Sequence, residues 1–276
     1  MTSISILGCG WYGLPLAKAF CEQGYVVNGS TTTSSKIEVL NSEGINPFVV
    51  DLNGSDVPAE SDFFNCDLLV ISIPPKLREG QHQHYLSKIK SLVNAIQTKS
   101  IKNIIFISST GIYPEINGEL SELSNIEPDT FSGKTLLSAE NILRDAFAEK
   151  LTVIRFAGLV GPGRNPGRFF AGKENIANGQ APVNLIHLDD CVEITMAIAS
   201  NSLYGYIINA CAPHHPSKKE FYTEATANIN LPLPHFKDEL AQWKIIKCVK
   251  LKELLNYQFK VNDWANYLKS EVSKIL

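Results

Sequence analysis

The sequence has no basic run, no apolar stretch of membrane-spanning length and no Cys-x-x-Cys pair among its six cysteines. Each absence excludes a class of function. With 25 Lys and Arg against 28 Asp and Glu, a net charge of −3 and a pI near 6.1, nothing offers the electrostatic footprint that nucleic acid or an anionic membrane requires. Without about 20 consecutive apolar residues, no helix crosses a bilayer. Apolar strand character begins at Ile4, which leaves no room for a charged n-region and an apolar h-region, so a cytoplasmic location is expected. Cys9, Cys21, Cys66, Cys191, Cys211 and Cys248 are scattered, as expected of reduced, buried thiols. His82-x-His84 and His214-His215 have no carboxylate or cysteine cluster at ligand spacing, so no metal is expected. Internal repeats and low-complexity segments are absent too. What remains is a chain whose partners are small molecules, not nucleic acid and not membrane.

What is present centres on Ile4-Ser5-Ile6-Leu7-Gly8-Cys9-Gly10-Trp11-Tyr12-Gly13, a short apolar strand running into Gly-x-Gly-x-x-Gly and then a helical stretch from Leu14 to Cys21. Gly8 would allow a tight turn, Gly10 the approach of backbone N–H groups to a diphosphate, and Gly13 close packing of helix on strand. The diphosphate would sit at a helix N-terminus, where the backbone amides and the dipole favour an anion. The backbone amides of Trp11 and Tyr12 belong to that site. A glycine turn of purely structural purpose is the alternative, and the strand–turn–helix context argues against it.

Strand-like and helical patterns alternate through the first 156 residues. Strands are expected over Tyr25 to Gly29, Pro47 to Asp51, Leu68 to Ile73, Asn103 to Ser108 and Leu151 to Phe156, all short, apolar and β-branched, as for strands covered on both faces. Leu86, Ile89, Val93 and Ile96 recur at helical spacing, as do Leu136, Leu137, Ile142, Leu143 and Phe147. This is the pattern of a doubly wound α/β fold with a parallel sheet and ligands at the carboxyl ends of its strands. With 276 residues, the chain buries about three quarters of its unfolded surface. A dinucleotide-binding domain over 1–158 is therefore expected, with a smaller substrate lobe over 159–276 whose residues from about 184 to 212 return to the main sheet. In that lobe, helices are expected over Arg168 to Asn178, Asp189 to Ala199 and Ser217 to Ile229, and a strand over Tyr206 to Ala210. Leu251 to Leu255 and Tyr257 to Tyr267 read as amphipathic packing.

An NAD site usually carries Asp or Glu about 20 residues beyond the glycines, to accept from the ribose 2′-OH. Here that region reads Asn28-Gly29-Ser30-Thr31-Thr32-Thr33-Ser34-Ser35-Lys36, without a carboxylate. Thr31, Thr32, Thr33 and Lys36 suit a 2′-phosphate, which favours NADP(H) over NAD(H). Ser35 with Glu38 also reads as a capping box for the next helix. Asp51 and Leu52 reach the adenine or form an ordinary turn. Ser72, Ile73 and Pro74 end a strand and should line the diphosphate or nicotinamide cleft.

Ile107-Ser108-Ser109-Thr110-Gly111-Ile112-Tyr113, Val153-Ile154-Arg155-Phe156-Ala157-Gly158-Leu159-Val160-Gly161-Pro162-Gly163-Arg164 and Val183-Asn184-Leu185-Ile186-His187-Leu188-Asp189-Asp190, together with the glycine stretch, resemble the extended short-chain dehydrogenase/reductase superfamily in its NAD-dependent epimerase/dehydratase branch. The match runs in order over most of the first 215 residues. It implies a Rossmann domain, a nicotinamide cofactor and a C-terminal lobe that holds the substrate, and it is compatible with a homodimer.

The resemblance also implies a Ser, a Tyr and a Lys as the proton relay, the last two four apart on one helix face. This sequence departs there. Aligning Ser138-Ala139-Glu140 with the end of the family's helix puts Ser132 in the tyrosine slot and Leu136 in the lysine slot. Lys134 lies about 200° around the helix from Ser132. None of the nine tyrosines has a lysine four residues later. The matching serine, Ser109, is retained, and Tyr113 beyond it is the candidate acid or else a structural tyrosine. Arg164 and Arg168 suit a phosphate or carboxylate on the substrate, or a solvated turn. His187 titrates in a useful range, or belongs to a fold motif in which Asp189 or Asp190 caps a helix.

The reading is thus an atypical NAD(P)-binding member of the superfamily, an NADP(H)-dependent oxidoreductase on a small hydroxyl, carbonyl or nucleotide-sugar substrate. The alternatives are a non-catalytic NADP(H) sensor and a nucleotide-sugar epimerase or dehydratase.

Overall fold

The computed structural model describes residues 2–52, 62–75, 82–125 and 127–272. In chain order the elements are β1 (Ser3–Leu7), α1 (Gly13–Glu22), β2 (Val26–Thr31), α2 (Ile37–Ser42), β3 (Asn46–Val49), β4 (Leu68–Ile71), α3 (His82–Ile96), β5 (Asn103–Ser109), β6 (Gly118–Leu120), α4 (Phe131–Phe147), β7 (Leu151–Phe156), β8 (Gly158–Val160), β9 (Leu185–His187), α5 (Leu188–Ser200), β10 (Ile207–Ala210), α6 (Lys218–Ala227), β11 (Lys244–Ile246), α7 (Val249–Leu255) and α8 (Trp264–Val272).

Seven strands form one sheet in the order β10-β7-β5-β4-β1-β2-β3. β1 pairs in parallel with both β2 and β4, β2 with β3, and β4 with β5. The chain first winds outward from β1 through β2 to β3, then returns to place β4 on the other side of β1. The carboxyl ends of β1 and β4 therefore flank a topological switch point, where open α/β sheets bind ligands. β6 pairs with β11, and β8 with β9, as two small parallel sheets. Among the described residues, no helix is long and apolar enough to cross a membrane.

The chain divides into two compact units, one made of Met1–Ile112, Pro128–Arg155 and Val192–Ile208, the other of Tyr113–Glu127, Phe156–Cys191 and Asn209–Leu276. In the first, Leu69, Ile71, Ile104 and Phe106 of the sheet are buried with Ile89, Leu92 and Ile96 of α3 and Ala139 and Leu143 of α4. Each large apolar side chain so buried contributes about 1.5–3 kcal/mol. The core of the second unit joins Val160, Val183, Leu185, Phe221, Trp264 and Leu268.

The sixth strand of the sequence reading, 151–156, has the expected bounds, and the helices expected at 189 and 217 form as α5 and α6. The helix expected over 168–178 does not form. Pro166–Arg168 is a single 3-10 turn, and Gly172, Asn175 and Asn178 beyond it take positive φ of 67°, 55° and 59°, which an α-helix cannot absorb. Phe169, Phe170, Tyr222 and Phe236 pack ring against ring there instead. β2 runs on to Thr31 rather than stopping at Gly29.

Candidate functional site

The loop from β1 to α1 is fixed by its own backbone. Gly8 has φ +105°, and a Cβ there would lie 2.8 Å from the Ser72 carbonyl oxygen. A Cβ on Gly13 would come within 2.1 Å of the Gly8 carbonyl oxygen. Neither position accepts a side chain. A Cβ on Gly10, by contrast, would meet nothing within 4 Å: Gly10 faces open space, and its N–H donates to the Gly8 carbonyl at 2.9 Å. The end of β2 pins the loop from the side, since Gly8 N–H donates to Ser30 Oγ at 2.8 Å and Cys9 N–H to the Ser30 carbonyl at 2.9 Å. Ser30 was not singled out from sequence, because the strand was expected to end one residue earlier. The Cys9 thiol is buried and its pKa is pushed up to about 12 by that burial, so it remains a neutral packing group.

The open space is a cavity of about 560 Å³ at the carboxyl ends of β1 and β4. Gly8, Gly10, Thr31, Thr32, Lys36, Asp51, Leu52, Ser72, Ile73 and Pro74, all expected from sequence, line it together. Lys36 and Thr32 are exposed at its edge. Trp11 lines an adjoining cavity of about 300 Å³ with Leu14, Val39 and Leu40, and Gly10, Thr31 and Lys36 face both. Tyr12, Gly13 and Thr33 line neither. The Tyr12 hydroxyl lies 2.7 Å from Thr195 Oγ1, and Thr33 N–H donates to Thr31 Oγ1. The capping box expected of Ser35 and Glu38 does not form: α2 begins at Ile37 after Lys36, with no side-chain cap.

Three residues of α3 also line the large cavity: His84, Tyr85 and Lys88. The apolar period that revealed α3 drew attention to its core face. The signal for the other face was the i, i+4 spacing of His84 and Lys88, with Tyr85 beside them. Tyr85 is 3% exposed, and among the described residues its hydroxyl has no hydrogen-bond partner. His82 serves packing, its Nδ1 lying 3.1 Å from Thr135 Oγ1 and its ring against Phe131.

Ser109 ends β5 and its Oγ accepts from Gly111 N–H at 3.1 Å. Behind it, Ser108 Oγ donates to Glu140 Oε1, and Arg155 clasps the same carboxylate through Nε at 3.1 Å and a terminal nitrogen at 2.6 Å. On α4, Leu136 is buried and Lys134 exposed. In the second unit Tyr113 is 1% exposed and its hydroxyl donates to Asn209 Oδ1 at 2.8 Å, while Lys244 Nζ donates to the Tyr113 carbonyl. Asn209 is held in turn by Glu122, whose carboxylate accepts from the N–H groups of Asn209 and Val249; burial nevertheless raises the Glu122 pKa.

Arg164 and Arg168 are exposed in the loop after β8. His187 is buried, and its Nδ1 accepts from Asp189 N–H at 3.2 Å. The cap on α5 is thus the imidazole and not Asp189 or Asp190. Asp190 accepts from the Tyr257 hydroxyl and the N–H groups of Lys260 and Val261, tying down the chain before α8.

No family model matches the chain. Protein YeeZ of Escherichia coli K12 is 33% identical over 268 residues, covering 95% of this chain and 97% of that protein. Among solved structures, UDP-glucuronic acid 4-epimerase from Bacillus cereus in complex with NAD superposes with a TM-score of 0.79 at 20% identity, over 99% of this chain and 98% of that one. MoeE5 in complex with UDP-glucose and NAD superposes with a TM-score of 0.80 at 17% identity, over the same shares.

Proposed function

The chain belongs to the family of Protein YeeZ and has the fold of the NAD-dependent epimerase/dehydratase branch of the short-chain dehydrogenase/reductase superfamily, and from that premise we propose that it binds a nicotinamide dinucleotide and uses it as an oxidoreductase. The observation that carries the reading is the loop at Gly8 to Gly13. Two of its glycines are demanded by the protein's own backbone, and the third opens onto the cavity at the switch point. That is a cradle which a Cβ at position 10 would begin to fill, and it fits a diphosphate approaching the start of α1.

NADP(H) is the preferred form. No carboxylate stands between Asn28 and Lys36, and Thr32 and Lys36 offer a hydroxyl and a charge to a 2′-phosphate at the cavity's edge, while Thr31 lines the cavity with its hydroxyl turned to the Thr33 backbone. Asp51 and Leu52 are suited to the adenine side. When bound, the cofactor supplies hydride exchange with a carbon bearing a hydroxyl or carbonyl. Ser109 orients that substrate and Tyr113 serves as its acid, giving up the hydrogen bond to Asn209 to do so. Arg164 and Arg168 bind an anionic group of the substrate. Nucleotide sugars are the class that the names of the structural neighbours suggest.

A second reading, a sensor that binds NADP(H) without turning it over, is favoured by the commitment of the Tyr113 hydroxyl to Asn209 and by Leu136, buried at the position that the resemblance assigns to the relay's lysine. A screen of NADPH consumption against aldehydes, ketones and keto-sugars separates the two. Turnover that falls on Tyr113→Phe supports the oxidoreductase. Tight binding with no turnover across the screen supports the sensor.

A further inference from the structure

The buried face of α1 begins one residue before the helix does. Tyr12, Leu16 and Phe20 stand four apart, on one side of the helix, and all three are buried. Packing at position 12 asks only for an apolar ring, and the chain carries a phenol. α5 shows the same departure, because Cys191, Ile194 and Ile198 form a wholly buried stripe that also contains the equally buried Thr195. The two hydroxyls lie 2.7 Å apart in the interior and join residues 183 apart in the sequence. A Phe and a Val of the same shape would fill this space at little cost in stability. The polar pair therefore fixes a position more than it holds the fold.

What it fixes is the stretch between two backbone anchors. Gly8 is held by Ser30, and Gly13 packs against the Gly8 carbonyl. Between them Gly10 opens onto the cavity. Tyr12 is the N-cap residue of α1, yet its side chain makes no hydrogen bond to the helix and reaches to α5 instead. We propose that Tyr12 is a positioning residue, which through Thr195 holds the backbone N–H groups at the start of α1 in the direction that a diphosphate requires. The assignment rests on the reading of this loop as a dinucleotide cradle. Tyr12 and Thr195 line neither cavity, so the pair acts through the loop and not by touching the ligand. The tether works by pre-organisation, removing in the free protein a freedom that binding would otherwise have to take from the loop.

The test is a double-mutant cycle on the full chain, with Tyr12→Phe, Thr195→Val and the pair, each titrated calorimetrically with NADPH and melted without ligand. Each single variant is expected to weaken NADPH by on the order of 10-fold. The double variant should lose the same factor and not its square, because either change already breaks the bond. Apolar on both sides, the double variant is also expected to melt like the parent, so its loss of affinity is one that a merely structural role does not produce. Thr195→Ser keeps the hydroxyl and is expected to bind NADPH like the parent. Parent-like affinity in Tyr12→Phe, strictly multiplicative losses, or a Thr195→Ser variant as weak as Thr195→Val would overturn the assignment. So would an affinity that follows the melting temperature from variant to variant. If the parent protein binds neither NADPH nor NADH, the dinucleotide reading itself fails, an outcome distinct from every one of these.

Discussion

A methyl group at position 10 and a methyl group at position 13 have opposite consequences in this chain. At Gly13 the new Cβ would lie 2.1 Å from a backbone oxygen that cannot move away without opening the turn. Gly13→Ala is therefore expected to lower the melting temperature of the free protein and to abolish dinucleotide binding. At Gly10 the Cβ meets nothing, so Gly10→Ala should melt like the parent while binding NADPH about 10-fold or more weakly, the cost of crowding a fitted ligand. Melts and titrations of the two variants side by side check this; equal effects on both readouts would mean that Gly10 does not face the ligand. Tyr113 poses a different question at the same scale. As the acid of an oxidoreductase, its replacement by Phe lowers turnover by about 100-fold with little change in NADPH affinity, and unchanged turnover removes it from the chemistry.

Among the elements, the link between α4 and β7 is sensitive to a single change. The Glu140 carboxylate is wholly buried and satisfied by Arg155 and Ser108. Arg155→Met leaves that charge uncompensated and should cost about 3–5 kcal/mol in urea unfolding, considerably more than replacing both partners by apolar residues. The start of the sheet is held differently. Asp67, just before β4, accepts from Ser3 N–H and Ser3 Oγ and pairs with Lys102 at 2.8 Å. The Lys102 ammonium, followed by the Ser3 amide, pulls its pKa from 3.8 down to about 2. Because the folded-state pKa is depressed, the stability that Asp67 contributes is present above about pH 4 and is lost as the pH falls toward 2. The melting difference between the parent and Asp67→Asn should shrink over that window, and a difference constant from pH 7 to pH 2 would contradict it. Elements also mark how far the sequence could be read. Continuous apolar strands and 3.6-residue periodicity expose the seven-stranded sheet and its helices. Strands of three residues such as β6 and β8 are too short to carry a period. The 168–178 segment has helical composition, yet left-handed asparagines and an aromatic cluster from distant parts of the chain decide its path.

For the whole molecule, the cavity residues contributed by β1, β2, β3 and β4 were legible because each stands at a strand's carboxyl end, a position that topology alone assigns. Those from α3 were not, since His84, Tyr85 and Lys88 reach the cavity only once the helix is docked in a particular rotation. Nor does a sequence say that Tyr113 and Asn209, 96 residues apart, share a hydrogen bond. At this scale the proposed cofactor preference is read out through stability: a ligand that binds only the folded chain raises its stability, by about 2.7 kcal/mol at 100 times the dissociation constant. Lys36→Glu should reverse the order of NADPH and NADH in such ligand-induced melting shifts, since the carboxylate repels a 2′-phosphate and accepts from a 2′-hydroxyl.

Calorimetric titration of the purified protein with NADPH and NADH in parallel tests the central claim most directly. The account predicts one-to-one saturable binding of NADPH, with NADH weaker. Heats indistinguishable from dilution for both would contradict it, because the cradle at Gly8 to Gly13 would then hold no dinucleotide.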